Sequence, residues 1–284
     1  MTAGAQVALS MFIYVGSVSY FSARKGVVKL NIYLSDLENA KFVLEQKRLT
    51  KNYFNDLRLI GRYYLNMGYS KSQAREKIDE FMLACGADCK TNVFADKGDN
   101  AIKAAERMHF ITNDSIYIFK HEMDVIDSLD GIQLRKIAFT LLCLAKYWDL
   151  KRDNNNHWIY NKDSEIMSMA NVAVTTRRQS ELYRKLQDCG LVRFSHKVDG
   201  TSMMINFLNN EGVCVLAISD FRNLGYQYLK FHGGAFFSCE NCGVTTRATG
   251  KNHKYCQSCA AKIHTRQKVD SVMKRRKLCE ECNC

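Results

Sequence analysis

Residues 131–208 run GIQLRKIAFTLLCLAKYWDL (Gly131–Leu150), DSEIMSMAN (Asp163–Asn171), TTRRQSELYRKLQDCG (Thr175–Gly190) and LVRFSHKVDGTSMMINFL (Leu191–Leu208), with short polar connections between them. The first run is a long apolar helix. The second is a short helix starting at Asp163, and the third is a helix opened by Thr175 and closed by Gly190. The fourth is a pair of β-type runs joined by Asp199-Gly200, a dipeptide suited to a two-residue hairpin turn. Three helices followed by a β-hairpin is the order of a winged helix-turn-helix, and that is the expected centre of the fold.

In that arrangement the third helix is the one that enters a major groove. Its first turns hold Thr175, Thr176, Arg177, Arg178 and Gln179, with Arg184 and Lys185 further along. Arginine forks onto guanine or phosphate, glutamine pairs with adenine, and threonine hydroxyls hold the backbone. Leu182 and Leu186, four apart, keep one face for the core. Arg193 and Lys197 supply basic contacts from the wing. The opposing reading is a module that only joins proteins, its arginines solvated.

The 284 residues carry a net charge of +12, which favours an acidic partner, with double-stranded DNA the expected one. Half of that excess lies in 231–284, where ten basic side chains face four acidic ones. Seven of the twelve cysteines follow position 238, mostly in CxxC pairs. That pattern belongs to metal binding in a reducing compartment rather than to a disulfide framework. Cys85, Cys89, Cys143, Cys189 and Cys214 are scattered and read mostly as buried thiols. The first 23 residues hold no charge, yet the stretch is diluted by polar residues and lacks a basic leader. Membrane insertion is therefore not expected, and 1–28 is read as a strand or helix docked on the body or as a start assigned too early, with Met11 an internal start.

A helical domain is expected over 29–98. It contains an amphipathic stretch at Leu30–Glu45, a helix at Asn52–Asn66, and a third helix capped by Ser70 with Gln73 completing a capping box. Residues 88–98 read as a polar linker and 99–108 as a short helix. The winged-helix domain, 99–232, adds a strand at Ile116–Phe119, a buried strand at 213–218, and a helix capped by Ser219 or Asp220. The Gly233-Gly234 pair opens the last domain, 233–284.

That domain carries the sharpest local signal. Cys239-x2-Cys242 and Cys256-x2-Cys259 are separated by thirteen residues, and two such knuckles complete a tetrahedral four-thiolate zinc site. A short hairpin is expected between the pairs, giving a zinc ribbon with one structural zinc ion. Four thiolate ligands leave no open position for catalysis, and His253 and His264 read as surface residues. Cys279, Cys282 and Cys284 could start a second site, lend ligands to a partner, or form a frayed tail; a second zinc is not expected. Between the motifs runs a basic helix, Ala260–Lys277, ending in Lys274, Arg275, Arg276 and Lys277, suited to phosphate attraction.

The stretches FTLLCLAKYWD, NNNHWIYNKDSEIMSMANVAVTTRRQ, QDCGLVRFSHKVD, ISDFRNLGYQYLK, CENCG and KYCQSCA resemble a group of uncharacterised winged-helix/zinc-ribbon proteins of phages and mobile elements of Gram-positive bacteria. The likeness spans roughly Ile116 to Lys277. It implies a phage or mobile-element setting and the same two modules, and it brings no catalytic residue with it.

The sequence has no phosphate-binding GxxxxGK[ST] loop, HExxH, GxSxG or strand-borne GxGxxG. Asp124, Asp127 and Asp130 precede a helix, where they suit its dipole. The resulting expectation is an α+β, mainly helical protein: a helical N-terminal region, a central winged helix-turn-helix, and a four-cysteine zinc ribbon with a basic helix. It would act as a non-catalytic DNA-binding protein in transcription or replication control. Two alternatives stand beside it: a protein-binding module docking on host RNA polymerase or a defence complex, and a nucleic-acid enzyme with a dispersed acidic site.

Overall fold

The computed structural model describes residues 34–48, 53–86, 92–195, 202–250 and 252–281. The N-terminal segment 1–28, the wing tip with Lys197, Asp199 and Gly200, and Cys282 and Cys284 lie outside them. So do the side chains of Arg276, Lys277 and Cys279.

Four helices come first: α1 (Asp36–Gln46), α2 (Tyr53–Asn66), α3 (Lys71–Ala84) and α4 (Asn92–Ala105). The capping box at α3 forms as expected, with the Ser70 amide donating to Gln73 Oε1 at 2.9 Å and the Gln73 amide donating to Ser70 Oγ at 3.3 Å. Leu57 and Ile60 of α2, Ile78 and Met82 of α3, and Ala101 and Ile102 of α4 form one small core. Gly61 lies where α4 crosses α2; a Cβ there would sit 3.1 Å from Ile102 Cδ1. The polar stretch expected to be a linker is in large part the first turns of α4. Early in α4 Asp96 and Asp99 are exposed, Asp99 pairing with Arg75 at 2.8 Å, while Ala101 and Ile102 are buried. Polarity at a helix's outer face reads like a loop when its buried side is small and comes late in the element.

The main body comprises β1 (Ile116–Phe119), α5 (Lys120–Asp127), α6 (Ile132–Arg152), β2 (Trp158–Ile159), α7 (Asp163–Met169), α8 (Thr176–Asp188), β3 (Val192–Phe194), β4 (Met203–Ile205), β5 (Cys214–Ile218) and α9 (Leu224–Phe231). Helix α6 is apolar on nearly every side and is buried on nearly every side: Phe139, Leu141, Leu142, Cys143, Leu144 and Ala145 have no exposed surface. Helices α5, α7, α8 and α9 and strands β1, β2 and β4 pack around it. The start of α1 is fastened to this body, because Asp36 is buried, accepts the Ile111 amide at 3.0 Å and pairs with Lys151.

Thr175 caps α8 by accepting the Arg178 amide at 3.3 Å, and Gly190 closes it at φ 71°. Strands β2, β4 and β3 form an antiparallel sheet in that order, with Trp158 opposite Met204 and Val192 opposite Ile205. Ser195 still bonds Ser202 at 3.0 Å, so β3 and β4 remain paired up to the wing tip.

Two expectations in this region need correction. Strand β5 is not buried: it pairs only with β1, leaving Cys214 and Ala217 exposed and Ile218 alone sealed against the core. A two-stranded sheet lying on one helix has its other face open to water. Helix α9 starts at Leu224, not after Ser219 or Asp220. The Asp220 carboxylate is taken by the Arg222 amide at 2.8 Å and by its guanidinium, and Asn223 turns left-handed at φ 54° before the helix begins.

The C-terminal module consists of β6 (Phe236–Ser238), β7 (Thr245–Arg247) and α10 (Gln257–Glu281). Among the described residues no helix is long and apolar enough to cross a membrane.

Candidate metal centre and nucleic-acid interface

The hairpin expected between the two cysteine pairs lies elsewhere. Strands β6 and β7 flank the first pair, Ser238 opposite Thr245, so Cys239–Cys242 is itself the turn. The Cys239 amide donates to Val244 O at 3.0 Å and the Gly243 amide to Cys239 O at 2.8 Å, with Gly243 at φ 72°. The second pair sits on a helix instead of a second knuckle: Cys256 immediately precedes α10 and Cys259 occupies its first turn. Spacing of three on a helix puts both sulfurs on one side, and the free amides and dipole of a helix N-terminus favour negative thiolates. The module is thus a hairpin knuckle and a helix start, a correction to the two-knuckle ribbon.

All four sulfurs lie within 4.8 Å of one another. Cys239, Cys256 and Cys259 are buried, and Cys242 is half-buried. A tetrahedral zinc with sulfurs at about 2.3 Å would space them about 3.8 Å apart; Cys242 and Cys256 stand at 3.8 Å. Backbone donors support the cluster, with the Cys256 amide 3.2 Å from Cys239 Sγ and the Asn241 side-chain amide 3.2 Å from Cys259 Sγ.

Burial opposes ionisation of Cys239, but the amides of Cys256, Cys242 and Asn241 outweigh it and bring this thiol down to about 6. Burial pushes Cys242 up to about 12, and burial also raises Cys256. A divalent cation among the sulfurs would offset the burial cost that Cys242 and Cys256 carry as thiolates. The donor set fits zinc, a borderline-soft ion that takes four thiolates readily. His253 stands apart, its Nδ1 accepting the Thr249 amide at 3.0 Å.

A polar relay ties this module to the main body. Arg222, held by Asp220, donates to Cys242 O at 2.5 Å. Asn223 donates to Thr245 O at 2.9 Å and accepts from the Asn171 side-chain amide at 2.9 Å. Asn171 is the left-handed residue (φ 52°) in the turn between α7 and α8, and its side-chain oxygen accepts the Tyr226 amide at 3.2 Å. Gly225 lets α9 close on this turn, since a Cβ there would fall 1.9 Å from Ala170 O. No chemical motif marks Arg222, Asn223 or Asn171. For Asn223 alone the sequence offers a signal, an Asn two residues before a Gly at a helix start.

The residues expected to meet nucleic acid are placed as follows. Helix α8 buries Leu182, Tyr183 and Leu186 and exposes Thr175, Thr176, Arg177, Arg178, Arg184 and Lys185. Gln179 is half-buried and hydrogen-bonds Asp163 at the start of α7. Arg177 and Arg178 pair with Glu181 at 3.5 and 2.9 Å, and Arg184 with Asp188 at 3.9 Å. Arg193 is exposed on β3. Along α10, residues 261–275 are exposed except for half-buried Ile263, so Lys274 and Arg275 lie in solvent. Two of the acidic residues before α6 have protein partners: Asp124 pairs with Lys120 at 3.1 Å on the surface, and Asp127 accepts the Tyr228 hydroxyl at 2.5 Å with His232 3.1 Å away. No protein-family model, curated protein or solved structure matches the chain.

Proposed function

We propose that this chain is a zinc-containing, non-catalytic DNA-binding protein that reads duplex DNA through a winged helix. The observation that carries the reading is α8. Its apolar side is sealed into the core while Arg177 and Arg184 are 92% and 82% exposed at the side chain. The surrounding order supports it: helix, short strand β2, two helices across a tight turn, then strands β3 and β4, with β4 central in a β2-β4-β3 sheet. Ion pairs at this level of exposure contribute little, about 0.2–1 kcal/mol each, so α8's arginines exchange Glu181 or Asp188 for phosphate at small cost. The Cys239, Cys242, Cys256 and Cys259 cluster would hold a structural zinc ion, and the relay through Asn223 would fix α10 relative to α8. Lys274, Arg275, Arg276 and Lys277 then add sequence-independent phosphate attraction. A phage or mobile-element setting, and a role in transcription or replication control in the host bacterial cytoplasm, rest on the sequence resemblance.

One observation favours the second reading, docking on a partner protein: α10 exposes Val269, Val272 and Met273 at 48–55%. The deciding experiment is binding of the zinc-loaded chain to labelled duplex DNA across a salt series. With about six phosphates neutralised, log K falls with a slope of roughly −5 against log salt. Replacing Arg177 and Arg178 by Ala should flatten that slope by about one for each phosphate contact removed. No binding at low salt refutes the DNA reading and leaves the docking one.

A further inference from the structure

Strands β2, β4 and β3 send alternate side chains to opposite faces of their sheet. Ile159, Met203, Ile205 and Val192 enter the core. The other face carries one cross-strand row, in which Trp158 stands opposite Met204 and Met204 opposite Arg193. Arg193 is exposed, and Trp158 and Met204 are half-buried. Across three strands spaced about 4.8 Å apart, the row spans about 10 Å. Two residues beyond Trp158, Tyr160 is 36% exposed and carries the Arg152 guanidinium over its ring at 3.8 Å.

The two tryptophans of the chain are placed differently. Trp148 packs on the core, meets Tyr147 and Tyr160 edge-on, and donates to Asn161 Oδ1 at 2.8 Å. Among the described residues Trp158 belongs neither to the core nor to an aromatic pair, so core packing does not account for an indole there. The two arginines also lack counter-charges. Arg193 rests on Met204 Sδ at 3.6 Å and Arg152 on Tyr160, and among the described residues neither meets a carboxylate. On α8, by contrast, Arg177, Arg178 and Arg184 each have one.

An aromatic ring with cations to either side suits a polyanion that presents the face of a base. Duplex DNA does not, because its base faces are covered by their neighbours and only edges reach the grooves. A single strand does, stacking a base on the ring while its phosphates meet the arginines. We propose that the solvent face of the β2-β4-β3 sheet binds single-stranded DNA, with an unpaired base stacked on Trp158 and with Arg193 and Arg152 on the phosphates to either side. The choice of DNA over RNA rests on the duplex reading of α8, which β3 follows after only the Gly190 turn; the stacking site itself does not.

The test is titration of the full-length, zinc-loaded chain with a short oligo(dT) at low salt, read by tryptophan emission and by anisotropy of the labelled strand. Binding should quench part of the emission. Trp158→Leu should abolish that quenching and weaken binding about tenfold or more. Trp158 lies outside the core, so this variant should fold. Arg152→Ala, an exposed change, is the second variant and should flatten the salt slope by about 0.7. Arg193 is left unchanged because the duplex reading also uses it. Blunt duplex is titrated into the same proteins: Trp158→Leu should bind it like the parent, whereas replacing Arg177 and Arg178 by Ala should weaken duplex and spare oligo(dT). Failure of the duplex reading and failure of the strand reading thus give different results. The proposal is overturned if oligo(dT) does not bind at low salt, if Trp158→Leu binds it or is quenched like the parent, if that variant loses strand and duplex alike, or if oligo(U) binds more tightly than oligo(dT).

Discussion

Replacing Gly225 by Ala adds a single methyl group and should rank among the most damaging small substitutions in the main body. The added Cβ would lie 1.9 Å from Ala170 O, 2.6 Å from Ala170 C and 2.6 Å from Lys136 Cε. The lysine carbon can swing away, but the carbonyl belongs to the C-terminus of α7 and cannot. Contacts under 3.0 Å are essentially never tolerated at a Cβ, so α9 must retreat by more than an ångström. That retreat also stretches the Tyr226–Asn171 bond at 3.2 Å and the Asn171–Asn223 bond at 2.9 Å. Overpacking of this kind costs about 1–3 kcal/mol, and the rigid backbone partner places Gly225→Ala at the upper end. At roughly 2–4 °C per kcal/mol for a body of this size, Tm should fall by about 6–12 °C. Gly250→Ala is the matched control, since nothing lies within 4 Å of its Cβ, and it should shift Tm by no more than about 1–2 °C. Circular dichroism melts of the two variants decide the matter. A Gly225→Ala protein that melts with the Gly250→Ala control would refute the close packing of α9 on the α7–α8 turn.

Three further outcomes are expected. Cobalt titrated into the metal-free protein should give thiolate-to-metal absorption with tetrahedral ligand-field bands. Cys239→Ser should abolish that four-sulfur signature and expose the amides of β6 and β7 to hydrogen exchange, while α6 stays protected. Glu122→Ala leaves Lys146 buried without its carboxylate and the Phe119 and Asn209 amides without their acceptor; urea unfolding should show a loss of about 3–5 kcal/mol. Burial, followed by the charge of Asp36, pushes the Tyr147 phenol up to about 12 from 10.0. Its neutral form is the one the fold stabilises, so that contribution is complete below pH 10 and is lost as pH rises from 10 towards 12. Tyr147→Phe should therefore reduce the decline in urea midpoint between those two values.

Much of the local structure is legible in residue order. Ser70 and Gln73 announce their capping box, Thr175 and Gly190 bracket α8, and the run from Ile137 to Ala145, apolar but for Thr140, marks a helix buried on nearly every side. The four clustered cysteines are equally plain, because CxxC spacing alone brings two sulfurs to one point. Long-range choices are not legible in the same way. Residues 88–98 read as a linker, with the helix starting only at Asp99, since nothing local reveals that Ala101 and Ile102 join Leu57 and Ile78 in one core. Asp220 has the chemistry of a helix cap, yet Arg222 takes its carboxylate first.

What the sequence by itself determined is therefore what acts within a turn or two of chain: capping, hydrophobic period and ligand spacing. Tertiary structure alone decided that Ser238 pairs with Thr245 across the first cysteine pair, and that Cys256 and Cys259 ride on a helix start. It also decided that Asn171 and Asn223, 52 positions apart, tie the metal module to the α7–α8 turn. The physical reason is range. A cap or a knuckle forms from neighbours that meet in any compact state, whereas the Asn171–Asn223 bond exists only after α9 has docked, and Gly225 permits that docking because it has no side chain.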